Sequence, residues 1–190
     1  MGLMVHSLSN IPDSTNRDYW IYILDYGWKE PLSETLKDNF FKMAEEASAN
    51  SAVIIRGVGC HFENEVLSWH HINNKSTKNI LPAILITNRH PRYFMENSRW
   101  HNCNNRIHDD EMNMILIPLN KVCDTPTDVV NLIKSIFSDI YDKTAISKFR
   151  IIERIDRRTP GSLADAIIVK PTFMGVGIDL MSLFSYFKKK

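Results

Sequence analysis

The sequence predicts an α/β domain in which short buried strands alternate with amphipathic helices. Three observations carry that reading. Tyr19 to Leu24, "YWIYIL", is an aromatic and β-branched run suited to a buried strand. Leu32, Leu36, Phe40, Met43 and Ala47 then recur at spacings of 4, 4, 3 and 4, on one face of a helix. Thr125-Pro126-Thr127-Asp128 supplies an N-cap, a proline at the first helical position and an acid at the third.

The elements follow in order along the chain. Residues 1–18 are rich in Ser, Asn, Asp and Pro, and read as an arm ordered by a partner. After the first strand, Pro31 fits the opening turn of a helix, where its missing N–H costs nothing. "SAVIIRG", Ser51 to Gly57, is a second buried strand, and Phe62, Val66 and Trp69 mark a shorter helix reaching about His71. "ILPAILITN" supplies a third strand with Pro82 just before or at its first residue, a position a strand tolerates. A short helix is expected around Pro91 to Met95, and "MNMILIPLN" is a fourth strand. The helix after Thr125 carries a wide apolar face of Val129, Val130, Leu132, Ile133, Ile136, Phe137 and Ile140. "FRIIERID" and "ADAIIVKP" read as two further strands, and the tail ends in an amphipathic helix from about Asp179.

Composition narrows the function classes. With 23 Lys and Arg against 22 Asp and Glu, the formal charge of +1 provides no global field to draw in nucleic acid. No basic segment followed by an apolar run opens the sequence, so no secretory signal is expected. No apolar run reaches the roughly 18 residues of a membrane span. Cys60, Cys103 and Cys123 form an odd, unpatterned set, which reads as free thiols in a reducing cytoplasm.

Over residues 19–143 the order strand, helix, strand, helix, strand, strand, helix resembles the thioredoxin fold. The string Leu81-Pro82-Ala83-Ile84-Leu85 looks like the start of that fold's third core strand, where a cis-proline sits beside the redox dithiol. The resemblance implies a β-α-β-α-β-β-α core, with residues 144–190 as an extension of two strands and a helix packing on it. An open Rossmann-like or flavodoxin-like sheet would show similar alternation and stands as the alternative. A thioredoxin carries its C-x-x-C at the N-terminus of the first helix, where dipole and free N–H groups lower a thiol pKa. Here that position reads Trp28-Lys29-Glu30-Pro31, and no cysteine falls between Met1 and Gly59. Two-cysteine exchange at that junction is chemically excluded.

Chemistry elsewhere has three candidate seats. Cys60, between a strand and a helix N-terminus with His61 beside it and Arg56 near, could be an activated nucleophile, against an ordinary loop or buried cysteine. Gly57 and Gly59 in "GVGCHF" lack the remaining residues of a phosphate loop, so turn geometry explains them. His101, Cys103 and His108 offer donors for zinc at a spacing that matches no standard structural pattern, and the competing reading is a polar loop. His70 and His71 point about 100° apart on their helix, so one of them at most could join such a site. Arg89, Arg92, Arg99, Trp100 and Arg106 form a local basic and aromatic cluster. It suits a single-stranded nucleic-acid backbone or, with Asp109 to Glu111 offsetting its charge, a protein contact.

The sequence is thus expected to encode a cytoplasmic, redox-inactive thioredoxin-like protein that serves as a binding or assembly subunit of a complex. Its expected contact residues are Trp28, Lys29, Pro82, Arg92, Arg99 and Trp100. No cofactor is expected. An enzyme with a single-cysteine or metal site around Cys60, His61 and Pro82, and a nucleic-acid accessory module, are the alternatives. The C-terminal helix, with Leu180, Leu183, Phe184 and Phe187 on one face, is expected to dock on its own domain or on a partner.

Overall fold

A computed structural model describes residues 1–25, 30–59, 61–70, 72, 80–99, 113–152 and 167–168. Six strands form one mixed sheet: β1 (Gly2–Val5), β2 (Tyr19–Leu24), β3 (Ala52–Gly57), β4 (Ala83–Thr87), β5 (Met114–Pro118) and β6 (Ile167–Ile168), in the order β1-β3-β2-β4-β5-β6. β1, β3 and β2 run parallel, and β4 lies antiparallel to β2, β5 to β4 and β6 to β5. The antiparallel half is not the parallel sheet of the Rossmann-like alternative.

The strands are apolar along their whole length because both faces of the sheet are covered. Tyr19, Ile21 and Ile23 of β2 point to a core shared with Ile54, Ile84, Ile86, Ile115 and Ile117. Helices α1 (Pro31–Asp38), α2 (Phe40–Ala49) and α6 (Pro126–Tyr141) close that face, burying Leu36, Met43, Ala47, Leu132 and Ile136. Trp20, Tyr22 and Leu24 point the other way, to a second core with Val53, Ile55 and Leu85. Helices α3 (Phe62–Trp69) and α4 (Pro91–Arg99) lie on that side, where Phe62, Val66 and Phe94 are buried. The alternation of β2 therefore partitions the hydrophobic core into two halves.

Local signals decide the helix ends. Thr125 and Asp128 form a reciprocal capping box at α6: the Asp128 N–H donates to Thr125 Oγ1 at 3.3 Å, and the Thr125 N–H donates to Asp128 Oδ2 at 3.1 Å. The helix expected to run unbroken from Pro31 is divided at Asn39. Its side-chain amide donates to the Thr35 carbonyl at 2.8 Å and competes with the backbone ladder. The Asn39 backbone stays right-handed, so Leu36, Phe40 and Met43 still share one buried face. The short α5 (Leu119–Val122) buries Leu119 and Val122 between β5 and α6.

Two segments differ from expectation. Residues 2–5, expected within a partner-ordered arm, form the edge strand β1, followed by a 3-10 turn at Leu8–Asn10. Val5, Leu8 and Ile11 are buried in the second core, and Glu65 of α3 accepts hydrogen bonds from Ser7 Oγ at 2.7 Å and the Leu8 N–H at 3.0 Å. "FRIIERID", residues 149–156, does not begin as a strand: residues 150–152 are helical, directly after a 3-10 turn at Ile146–Lys148. Asp139, buried on α6, accepts from the Arg150 backbone N–H at 2.9 Å and from Arg150 Nε at 2.5 Å, while Phe149 and Ile151 insert into the first core. That anchorage fixes a turn where local β-propensity favours a strand. Ile167–Ile168, within "ADAIIVKP", pair with β5. The expected helix from Asp179 lies outside the described residues.

Candidate functional site

The junction between β2 and α1 is organised around buried charge. Asp25 follows the last residue of β2 and is buried, with Oδ1 3.3 Å from Nζ of Lys37 on α1. Extending the antiparallel register one residue past Leu24 and Ala83 brings Asp25 opposite Pro82. The Leu81-Pro82 bond is cis, and Pro82 directly precedes β4. Its carbonyl accepts from the Leu119 N–H at 2.8 Å, while that of Leu81 accepts from Asn120 Nδ2 at 3.2 Å. The loop before β4 is thereby tied to the chain leaving β5. Ser33, in the first turn of α1, is also buried.

A second buried carboxylate closes the junction from α3. Glu63 lies in the first turn of that helix, where the dipole favours a negative charge. Burial raises its pKa from the ordinary 4.5, against hydrogen bonds from the backbone N–H groups of Glu63 and Asp25, and the Asp25 charge raises it further. Two buried carboxylates therefore share the neighbourhood of one ammonium at the end of β2.

No family model, curated protein or solved structure matches this chain.

The residues expected to act are distributed unevenly. Pro82 is buried in the junction, and His61 is exposed one residue ahead of α3 without a side-chain cap. Trp28, Lys29, Cys60, Trp100, His101, Cys103 and His108 lie outside the described residues. Arg99 closes α4. Arg92 of α4 forms an ion pair with Asp13, both about half-exposed, so part of the basic cluster is bound to the N-terminal segment. The Arg89 guanidinium lies 5.8 Å from the Tyr93 ring centroid, a cation–π contact.

Two sequence features have packing explanations. A Cβ at Gly57 would meet the Phe62 side chain at 2.4 Å, so Gly57 admits the ring that seals the second core. His70 is fully buried, its Nδ1 2.7 Å from the Val66 carbonyl and its ring 4.2 Å from Phe94 and 5.0 Å from Tyr22 between centroids. It packs as a core histidine, while His101, Cys103 and His108 lie outside the described residues. Among the described residues no group of three His, Cys, Asp or Glu is placed to hold a metal, and no helix is long and apolar enough to cross a membrane.

Sequence reasoning missed Asp25, Lys37 and Glu63. An acid directly after a buried apolar strand was the available signal for Asp25; its partners depend on the tertiary fold.

Proposed function

We propose that this chain is a redox-inactive thioredoxin-like protein that acts in the cytoplasm as a binding or assembly subunit of a multiprotein complex. The observation that carries the reading is the junction after β2. The thioredoxin-like resemblance expects a dithiol there, and the chain has no cysteine before Cys60 and buries Asp25 against Lys37. The central strand order β3-β2-β4-β5, parallel for the first pair and antiparallel for the rest, supports the thioredoxin-like topology. Helices on both faces agree with it.

A surface of this kind binds through Trp28 and Lys29 ahead of α1 and through Arg92, Arg99 and Trp100 around α4, residue types that interfaces favour at their anchors. The test is a thiol–disulfide exchange assay on the reduced full chain, alongside recovery of its partner from the native host. The expected result is no turnover above the uncatalysed rate and a stoichiometric partner that Trp28→Ala with Lys29→Glu releases. Turnover abolished by Cys60→Ser overturns the reading in favour of an enzyme. Binding of a single-stranded oligonucleotide that weakens steeply with salt favours the nucleic-acid alternative.

A further inference from the structure

Among the described residues no strand pairs with the outer edge of β1, and this short strand, Gly2-Leu3-Met4-Val5, lacks the charge and the proline that commonly keep sheet edges from pairing. The carbonyls of Met1 and Val5 accept from the N–H groups of Ile54 and Val58, at 2.8 and 3.0 Å, so the odd positions face β3. Strand alternation then turns the backbone N–H and C=O of Gly2 and Met4 outward.

Apolar side chains gather at the same edge. Among the described residues four large hydrophobic side chains are exposed, and three belong to β1 or to the elements packed beside it: Met4 in β1 at 51%, Val58 directly after β3 at 56% and Phe41 in α2 at 73%. Val58 is hydrogen-bonded to Val5. The Phe41 ring lies 5.7 Å from that of Phe40, whose edge in turn is 3.4 Å from a Cβ placed at Gly2. Gly2 therefore faces α2, and Met4, two residues on, faces the same side. Single exposed apolar residues are ordinary; three on neighbouring elements at one end of the sheet are the signal of an interaction surface.

We propose that β1 pairs with β1 of a second copy of this chain, antiparallel about a two-fold axis beside Met4, so that the two sheets become continuous. The axis lets Met4 exchange both backbone hydrogen bonds with Met4 of the second copy and sets Gly2 opposite His6. Directly opposed residues of an antiparallel pair project to one face, so the two Met4 side chains meet, with Phe41 from each α2 flanking them. β1 itself is apolar and has no charged side chain to meet its own image, as a two-fold interface requires. The inference is independent of the reading of the β2–α1 junction.

Light scattering coupled to size exclusion, across a hundredfold concentration range of the full chain, tests it. The expected mass at the upper end is twice the 22.0 kDa of one chain. Met4→Lys and, separately, Phe41→Glu are expected to return it to one chain with an unchanged circular dichroism spectrum. Met4→Pro is the second arm: the Met4 N–H faces away from β3, so the fold survives while the paired edge loses a donor. A single-chain mass for the wild type at every concentration overturns the proposal, as does a doubled mass that persists in these variants. So does association of this edge only with a different protein.

Discussion

Lys37 reaches from the last turn of α1 to bring its ammonium nitrogen within 3.3 Å of Oδ1 of Asp25, at the buried end of β2. A buried carboxylate beside the start of a helix is tolerated when a cation and backbone donors share its charge. Lys37 is the cation observed here, and it also fastens α1 to the strand before it.

Replacing Lys37 by Met keeps the aliphatic stem and removes that charge. The expected cost is about 1.5–3 kcal/mol, the range for a lost hydrogen bond to a charged group. Lys37→Arg is expected to retain most of the stability. Urea denaturation of the two variants at neutral pH measures the difference, and equal midpoints for wild type and Lys37→Met would show that the contact contributes nothing.

Glu63 predicts a pH dependence of defined sign. Burial raises its folded pKa above 4.5, so between the unfolded and folded values the native state holds the proton that the unfolded state has lost. Glu63 therefore withdraws stability as pH rises through that window, and the loss is complete above the folded value. Glu63→Gln carries no such titration. Its stability relative to wild type is expected to improve from pH 4 to pH 7, in paired denaturation curves; a flat or declining difference rejects the assignment.

Tyr22 offers a stabilising change. Its hydroxyl is buried in the second core, where no hydrogen bond reaches it among the described residues, and burial holds its pKa well above 10.0. Tyr22→Phe removes a polar group left without a partner while preserving the ring against His70. A gain of about 1 kcal/mol is expected, at the lower end of the cost of an unsatisfied buried donor. Thermal unfolding checks it, and a clear loss of stability would reveal a partner for the hydroxyl.

Gly57 separates a packing glycine from a ligand-cradling one. A methyl group there collides with Phe62, so Gly57→Ala is expected to destabilise the fold by about 1–3 kcal/mol. Phe62→Leu in the same chain is expected to recover part of the loss. The non-additivity of the double mutant is the readout, because a glycine needed for a bound phosphate would show no coupling to Phe62 in the ligand-free chain.

The legible and illegible parts of this fold divide by the range of the interactions. Thr125, Pro126 and Asp128 announce α6 because a capping box is complete within four residues. Tyr19 to Leu24 announces a strand because six consecutive apolar residues need cover on both faces. β1 escaped notice because it has only four residues and depends on β3, fifty residues away, for its hydrogen bonds. Phe149 to Ile152 has the composition of a strand, but Asp139 caps the Arg150 N–H and residues 150–152 are helical. At the junction the absence of sulfur was plain in the sequence, whereas Asp25, Lys37 and Glu63 come together only through the packing of α1 and α3 against β2.

The central claim, that the β2–α1 junction is a contact surface and not a thiol-exchange site, is tested most directly by the mass of the native assembly that contains this chain. The assembly is isolated through wild type, through Cys60→Ser and through the pair Trp28→Ala with Lys29→Glu. The account predicts the same stoichiometric assembly for wild type and Cys60→Ser and the free chain for the junction pair. An assembly that survives the junction pair, or one that Cys60→Ser disperses, contradicts it.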